Sequence, residues 1–207
     1  MSIDELFTGK KFGEHIYFIC RELRGRIRGV KTYAICVDDE GEALFLSVFS
    51  GREYYKPWFE VFNVIKPKYF YNTQFEADLL QLFYNNLPPG GRVFIEYVRD
   101  VETRTQLDRG YPIVSTRLGF LMFKTGFTWF KDWYFAEGFM EGNPKLQGEK
   151  HLSKEQYFRD LNYWYANLTS FINEIKVFDE ISLNALKYAE MALRIIREKL
   201  ERQADQV

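Results

Sequence analysis

Residues 87–96 read Leu87-Pro88-Pro89-Gly90-Gly91-Arg92-Val93-Phe94-Ile95-Glu96, and this stretch divides a helix from a strand. Two prolines without backbone N–H groups, followed by two glycines, cannot carry a helix through it. The helix that ends there starts at Thr73, spaced from Glu76 as a capping box. Its residues Phe75, Leu79, Leu82 and Phe83 fall on one face. The strand that follows, Arg92–Val98, is apolar on both faces except at Glu96, as expected for an interior strand.

Beyond that strand, Glu102–Arg109 reads as a short helix stopped by Gly110, with Tyr111-Pro112 extended behind it. Ser115 or Thr116 caps a further helix, which turns Leu118, Leu121 and Met122 inward and ends at Gly126. Phe127–Phe135 returns to strand. Glu137–Lys150, with glycines at 138, 142 and 148 among charges, reads as a loop or loose hairpin. On the other side lie four β-rich runs: His15–Leu23, Thr32–Val37, Ala43–Phe49 and Phe59–Ile65. Turn chemistry at Asp38-Asp39-Glu40-Gly41 and Ser50-Gly51 joins them into an antiparallel meander. Ser2 and Glu5 are spaced as a capping box for a short opening helix.

The last stretch is helical. Ser153 and Gln156 open a helix carrying Tyr157, Leu161, Trp164, Leu168, Phe171 and Ile175. A second, from Ser182, carries Leu186, Ala189, Leu193, Ile196 and Leu200. The three-and-four spacing gives each helix one face to bury. Docking of this pair on its own domain is the first expectation, and a homodimer through the same seam the second. The chain then divides into an α+β unit over 1–150 and a helical extension over 151–207.

Composition sets the outer bounds. The chain has 207 residues, 46% hydrophobic, so it can build a core without metal or disulfide staples. Lys and Arg total 28 against 29 Asp and Glu, so no bulk field calls for nucleic acid. The basic cluster Arg21, Arg24, Arg26, Arg28 and Lys31 reads as a solvated hairpin face or a clamp on an anionic ligand. Cys20 and Cys36, each inside an apolar run, read as two buried thiols in a reducing cytoplasm. With only His15 and His151 besides, there is no metal-ligand spacing. No apolar run approaches the ~20 residues of a membrane span, and the N-terminus does not read as a signal peptide. A soluble, cytoplasmic protein with a small-molecule ligand is expected.

The order of strands and helices, with a helix closing in Leu118-Gly119-Phe120-Leu121-Met122-Phe123-Lys124-Thr125-Gly126-Phe127, resembles the acyl-CoA N-acyltransferase (GNAT) superfamily. The block from Leu87 to Lys150 also resembles a mainly archaeal family of uncharacterised conserved proteins. It includes Lys131-Asp132-Trp133-Tyr134 and Lys145-Leu146-Gln147-Gly148-Glu149-Lys150. The resemblance covers residues 15–150. It implies a GNAT-like, mostly antiparallel mixed sheet flanked by helices, acyl-CoA as cofactor, and transfer of an acyl group to an acceptor amine. In this family a glycine-containing loop before a helix cradles the CoA pyrophosphate. The equivalent stretch here, Lys66-Pro67-Lys68-Tyr69-Phe70-Tyr71-Asn72-Thr73, has no glycine, and Pro67 removes one donor. Lys66, Lys68, Asn72, Thr73 and the N–H groups at the helix start are left for that task.

On the same resemblance Glu96 is the general base and Tyr134 the acid that protonates the leaving thiolate. Tyr97, Asp132, Trp133, Glu137 and Lys145 are the substrate contacts. Each has a plainer reading: Glu96 as a strand-end acid met by an arginine, the aromatic residues as core, the loop residues as solvated. Two other functions stay open. One is a non-catalytic binding or assembly protein on the same fold. The other is an S-adenosylmethionine methyltransferase, which residues 73–127 resemble but for which the chain lacks a Gly-x-Gly turn.

Overall fold

The computed structural model describes residues 10–12, 15–23, 30–37, 42–49, 58–64, 73–95, 98, 100–134 and 144–204. Five strands open it: β1 (Lys10–Phe12), β2 (His15–Leu23), β3 (Val30–Val37), β4 (Glu42–Phe49) and β5 (Trp58–Val64). Each pairs antiparallel with the next. The β-branched and aromatic runs read from sequence therefore do form a meander. The expected opening helix and the Arg24, Arg26 and Arg28 stripe lie outside the described residues.

Helix α1 (Thr73–Asn86) comes next, then β6 (Arg92–Ile95). β6 lies parallel to β5, with Trp58 beside Arg92 and Val61 beside Ile95. Parallel neighbours need a crossover, and α1 is part of it. Helix α2 (Val101–Asp108), a 3-10 turn (Ile113–Ser115) and α3 (Arg117–Thr125) lead to β7 (Trp129–Tyr134). Thr116 is the residue that caps α3, accepting from Gly119 N. β8 (Pro144–Glu149) is inserted between β6 and β7, antiparallel to both. Among the described residues the sheet has eight strands in the order β1-β2-β3-β4-β5-β6-β8-β7, and the fold is α+β.

Of the loop or loose hairpin expected over 137–150, the described part is regular strand: β8 pairs antiparallel with β7 as the second arm of a hairpin. Its glycine and charges are not turn signals but local solutions to a crowded interior. A Cβ on Gly148 would run into Met122 Cε and lie 3.3 Å from Phe127 Cγ, so a side chain there needs Met122 to swing aside. Glu149 is buried against Arg92 of β6, at 3.1 Å, and Pro144 occupies the first strand position, where a missing N–H is tolerated. Lys150, just past the strand, clamps the preceding turn: it donates from Nζ to the Tyr84 and Leu87 carbonyls at the end of α1, while its backbone exchanges bonds with Gly90 and Gly91.

Cys36 is a second correction. It is buried and disulfide-bonded rather than a free thiol. The antiparallel pairing sets Phe18 against Cys36, bringing the two cysteine-bearing strands side by side. Reading each strand alone cannot reveal that register.

The core runs from Leu79 and Phe83 of α1 through Val93 and Ile95 to Met122, Phe123, Phe127 and Leu146. Phe120 and Phe123 are buried in α3, whereas Leu121 is only partly so. Helices α4 (Lys154–Glu174) and α5 (Glu180–Ala204) pack together, and α5 also packs on α3. Trp164, Leu168, Leu193 and Ile196 are all buried within the chain. These four residues offer no outward seam to a second copy.

A buried ionic network ties the helices to one another. Arg117 donates from Nη1 and Nη2 to Glu76 at 2.5 and 2.9 Å and from Nε to Asp100 at 2.7 Å. Asp100 also caps α2, accepting from Thr103 N and Thr103 Oγ1. Gln106 accepts from Arg117 N and donates to the Ile181 carbonyl, bringing α5 into the set. Glu76 and Arg117 are each less than a tenth exposed, so only such complete pairing offsets the loss of hydration.

Candidate functional site

The network fixes α2, and the segment C-terminal to α2 is one wall of a cleft. Gly110, at φ +72°, turns the chain into Tyr111-Pro112 and the 3-10 turn. That wall, the start of β7 and one side of α4 surround an open cleft of about 680 Å³. Its floor is aromatic: Phe130 and Trp164 meet edge to face, with centroids 5.7 Å apart. The indole N–H of Trp164 donates to the Thr128 carbonyl at 2.7 Å. Thr128 Oγ1 in turn donates to Asp160 Oδ2 at 3.0 Å, so β7 and α4 are held together by polar bonds at the cleft.

The rim is different in character. Trp129 is 40% exposed and Tyr163 61%, so both lining residues leave aromatic surface in water. Asp132, half-buried, and Arg159, exposed, supply charge of both signs. Asn167 Oδ1 is buried in the lining with no hydrogen-bond partner among the described residues. Burial pushes the Asp160 carboxyl above its ordinary range, against the pull of Thr128, Arg159 and His151. Asp160 thus holds its proton more readily than a surface aspartate, a property that recurs in ligand-binding and catalytic clefts.

Of the residues singled out from sequence, Asp132 lines this cleft. Trp133 and Tyr134 complete β7, their backbones paired with Lys145 and Pro144. Lys145 is not in a loop: it lies in β8, with Nζ 4.9 Å from the centre of the Phe94 ring. Thr73 is the first residue of α1. Glu96, Tyr97, Glu137, Lys66, Lys68 and Asn72 lie outside the described residues. Sequence reading missed Asp160, Arg159, Tyr163, Asn167 and Thr128. A signal for Asp160 was present, since three residues after Tyr157 and four before Trp164 it falls on the apolar stripe of its helix.

Among the described residues no group of three or more His, Cys, Asp or Glu side chains is placed to hold a metal ion. No described helix is long and apolar enough to cross a membrane.

An α+β protein with a lateral cleft between its edge strand, the segment after α2 and helix α4 is the class these features define. The chain belongs to a family of proteins of unknown function, DUF1122, whose pattern matches residues 14–175. It is similar to the crystal structure of a protein of unknown function from Aquifex aeolicus VF5, at 31% sequence identity and a TM-score of 0.77. That similarity covers 93% of this chain and 94% of the other. No curated protein matches.

Proposed function

We propose that the chain is a GNAT-like, acyl-CoA-dependent N-acyltransferase of the uncharacterised family, with an acceptor amine still to be named. One observation carries the reading: an otherwise antiparallel sheet contains a single parallel junction among its described strands, β5 beside β6, bridged by α1. Strand, crossover helix and parallel strand place a helix N-terminus after the carboxyl end of β5, the position at which open α/β sheets bind ligand phosphates. In this reading Lys66, Lys68, Asn72 and Thr73 hold the CoA phosphates. Glu96, which comes directly after β6 in sequence, takes the proton of the attacking amine. The amine nitrogen adds to the thioester carbonyl, the carbon–sulfur bond breaks, and Tyr134 protonates the leaving thiolate. No covalent enzyme intermediate forms. Tyr97, Asp132, Trp133, Glu137 and Lys145 contact the acceptor, and the chain divides near residue 150 into the catalytic unit and its helical extension.

The methyltransferase reading loses its support, because β1 to β5 form an antiparallel meander where a doubly wound parallel sheet is needed. A non-catalytic binding protein remains as the second reading. It is favoured by the cleft at β7, which is separated from the parallel junction by β8 and has its own aromatic rim.

Thermal-shift measurement with acetyl-CoA, CoA and S-adenosylmethionine tests the proposal. A ligand of the native state at about a hundredfold excess over its Kd adds roughly 2.7 kcal/mol, or about 5–10 °C in Tm. Stabilisation by both CoA compounds is the expected result. No shift with either, or a shift with S-adenosylmethionine alone, rejects it.

A further inference from the structure

The cleft at the β7 edge stands outside the β5/β6 junction to which the acyl donor is assigned. Its described lining combines four features that bear on what it takes. Two carboxyl groups, Asp132 from β7 and Asp160 from α4, line it together with one guanidinium, Arg159. Trp129 and Tyr163 keep their large rings in water at the mouth, an arrangement that costs hydration energy unless a ligand covers them. A further acceptor, Asn167 Oδ1, is buried in the wall without a donor among the described residues. The volume of about 680 Å³ lies in the range of small-molecule sites.

Two carboxyl groups and an unpartnered amide oxygen offer acceptors to a ligand's N–H groups, and aromatic faces attract a cation through their quadrupoles. Two carboxylates repel an anionic ligand. We propose that this cleft binds a small organic amine in its protonated form, the ammonium directed to Asp132 and Asp160 and the apolar body laid against Trp129 and Tyr163. Thr128 serves as a positioning residue, its hydroxyl holding the Asp160 carboxyl toward the floor. The site does not depend on the acyl-donor reading. If that reading holds, the cleft supplies the class of acceptor.

Calorimetric titration of the full chain with tyramine, tyrosol and glucose, with no acyl donor present, is the test. Tyrosol keeps the ring of tyramine and replaces the ammonium with a hydroxyl. Tyramine is expected to saturate with a Kd of about 1 mM or tighter, and tyrosol to bind at least about tenfold more weakly. Asp132→Asn should weaken tyramine about tenfold while Tm stays within about 2 °C of wild type. Asp160→Asn keeps the size of the side chain and gives an independent second variant. Absence of saturable tyramine binding overturns the proposal. So does tyrosol or glucose binding as tightly as tyramine, or tyramine affinity unchanged in both variants. Because CoA is absent throughout, failure here leaves the acyl-donor reading to its own thermal-shift test.

Discussion

Two regions of this molecule bury charge, and they do it differently. Around Arg117 every group answers another: Glu76 takes two N–H donors, Asp100 a third, and Gln106 and Thr103 use their polar atoms on the backbone of α3 and α5. Around the cleft the groups stay incompletely matched, with Asn167 Oδ1 unpartnered among the described residues and Asp160 held by one threonine hydroxyl while burial raises its pKa. A closed network serves the scaffold, because any ligand would have to break it. An open one keeps valences for something that comes from outside.

The comparison fails first if the closed network proves expendable. Arg117→Met leaves Glu76 and Asp100 buried without their cation, and urea denaturation should show a loss of about 3–5 kcal/mol. Adding Glu76→Leu should restore part of it. Gly119→Ala comes next. Its Cβ would run into the Ile113 carbonyl oxygen, backbone that cannot step aside cheaply. A loss of about 1–3 kcal/mol is expected, and because Ile113 lines the cleft, tyramine binding should weaken with it.

A smaller effect separates the cleft's neighbour His151 from both regions. Burial first, then Lys150 and Lys199, hold its imidazole below the ordinary 6.5, while Asp160 pulls the other way. The folded state therefore prefers His151 neutral. Stability linked to it is complete above pH 6.5 and is lost as pH falls through the depressed folded value. Its Nδ1 has no partner among the described residues, and its ring packs on Tyr157 at 4.7 Å, so His151→Phe keeps the packing and removes the titration. Melting scans from pH 7.5 down to 5 should show the variant gaining about 3 °C on wild type at the acid end. Smallest of all is Asp132→Asn on stability, a shift within about 2 °C, for a half-buried residue whose work is on the ligand.

The sequence reading located the meander, α1, β6 and all the later helices because their signals are local. Caps at Thr116 and Ser153, the stop at Gly126 and the β-branched and aromatic runs of β2 to β5 need no knowledge of the rest of the chain. β8 escaped because its glycine answers to Met122 and Phe127 and its glutamate to Arg92, neighbours far away in sequence. Of the cleft, Asp132 alone is among the site residues that the sequence singles out, whereas Asp160 lies on an apolar stripe whose hydrophobic members carry the helix signal. Arg117 carried a signal of its own. A cation in the first turn of a helix opposes the macrodipole, and so asks for the buried partners it proves to have.

The position of β8 also governs how the chain can be made. β7 precedes β8 in the chain yet ends up outside it, so β6 has no neighbour on that side until residue 149 has been synthesised. The ribosome therefore releases an N-terminal sheet still open along β6, and then β7, which has nothing to pair with. Only the completed β7–β8 hairpin, docking as a unit, seals that edge, and Lys150 locks behind it onto the end of α1. A nascent chain stalled before residue 144 is an aggregation hazard, and the hazard passes only once α4 and α5 follow and cover the core with Leu161, Trp164, Leu168 and Leu193.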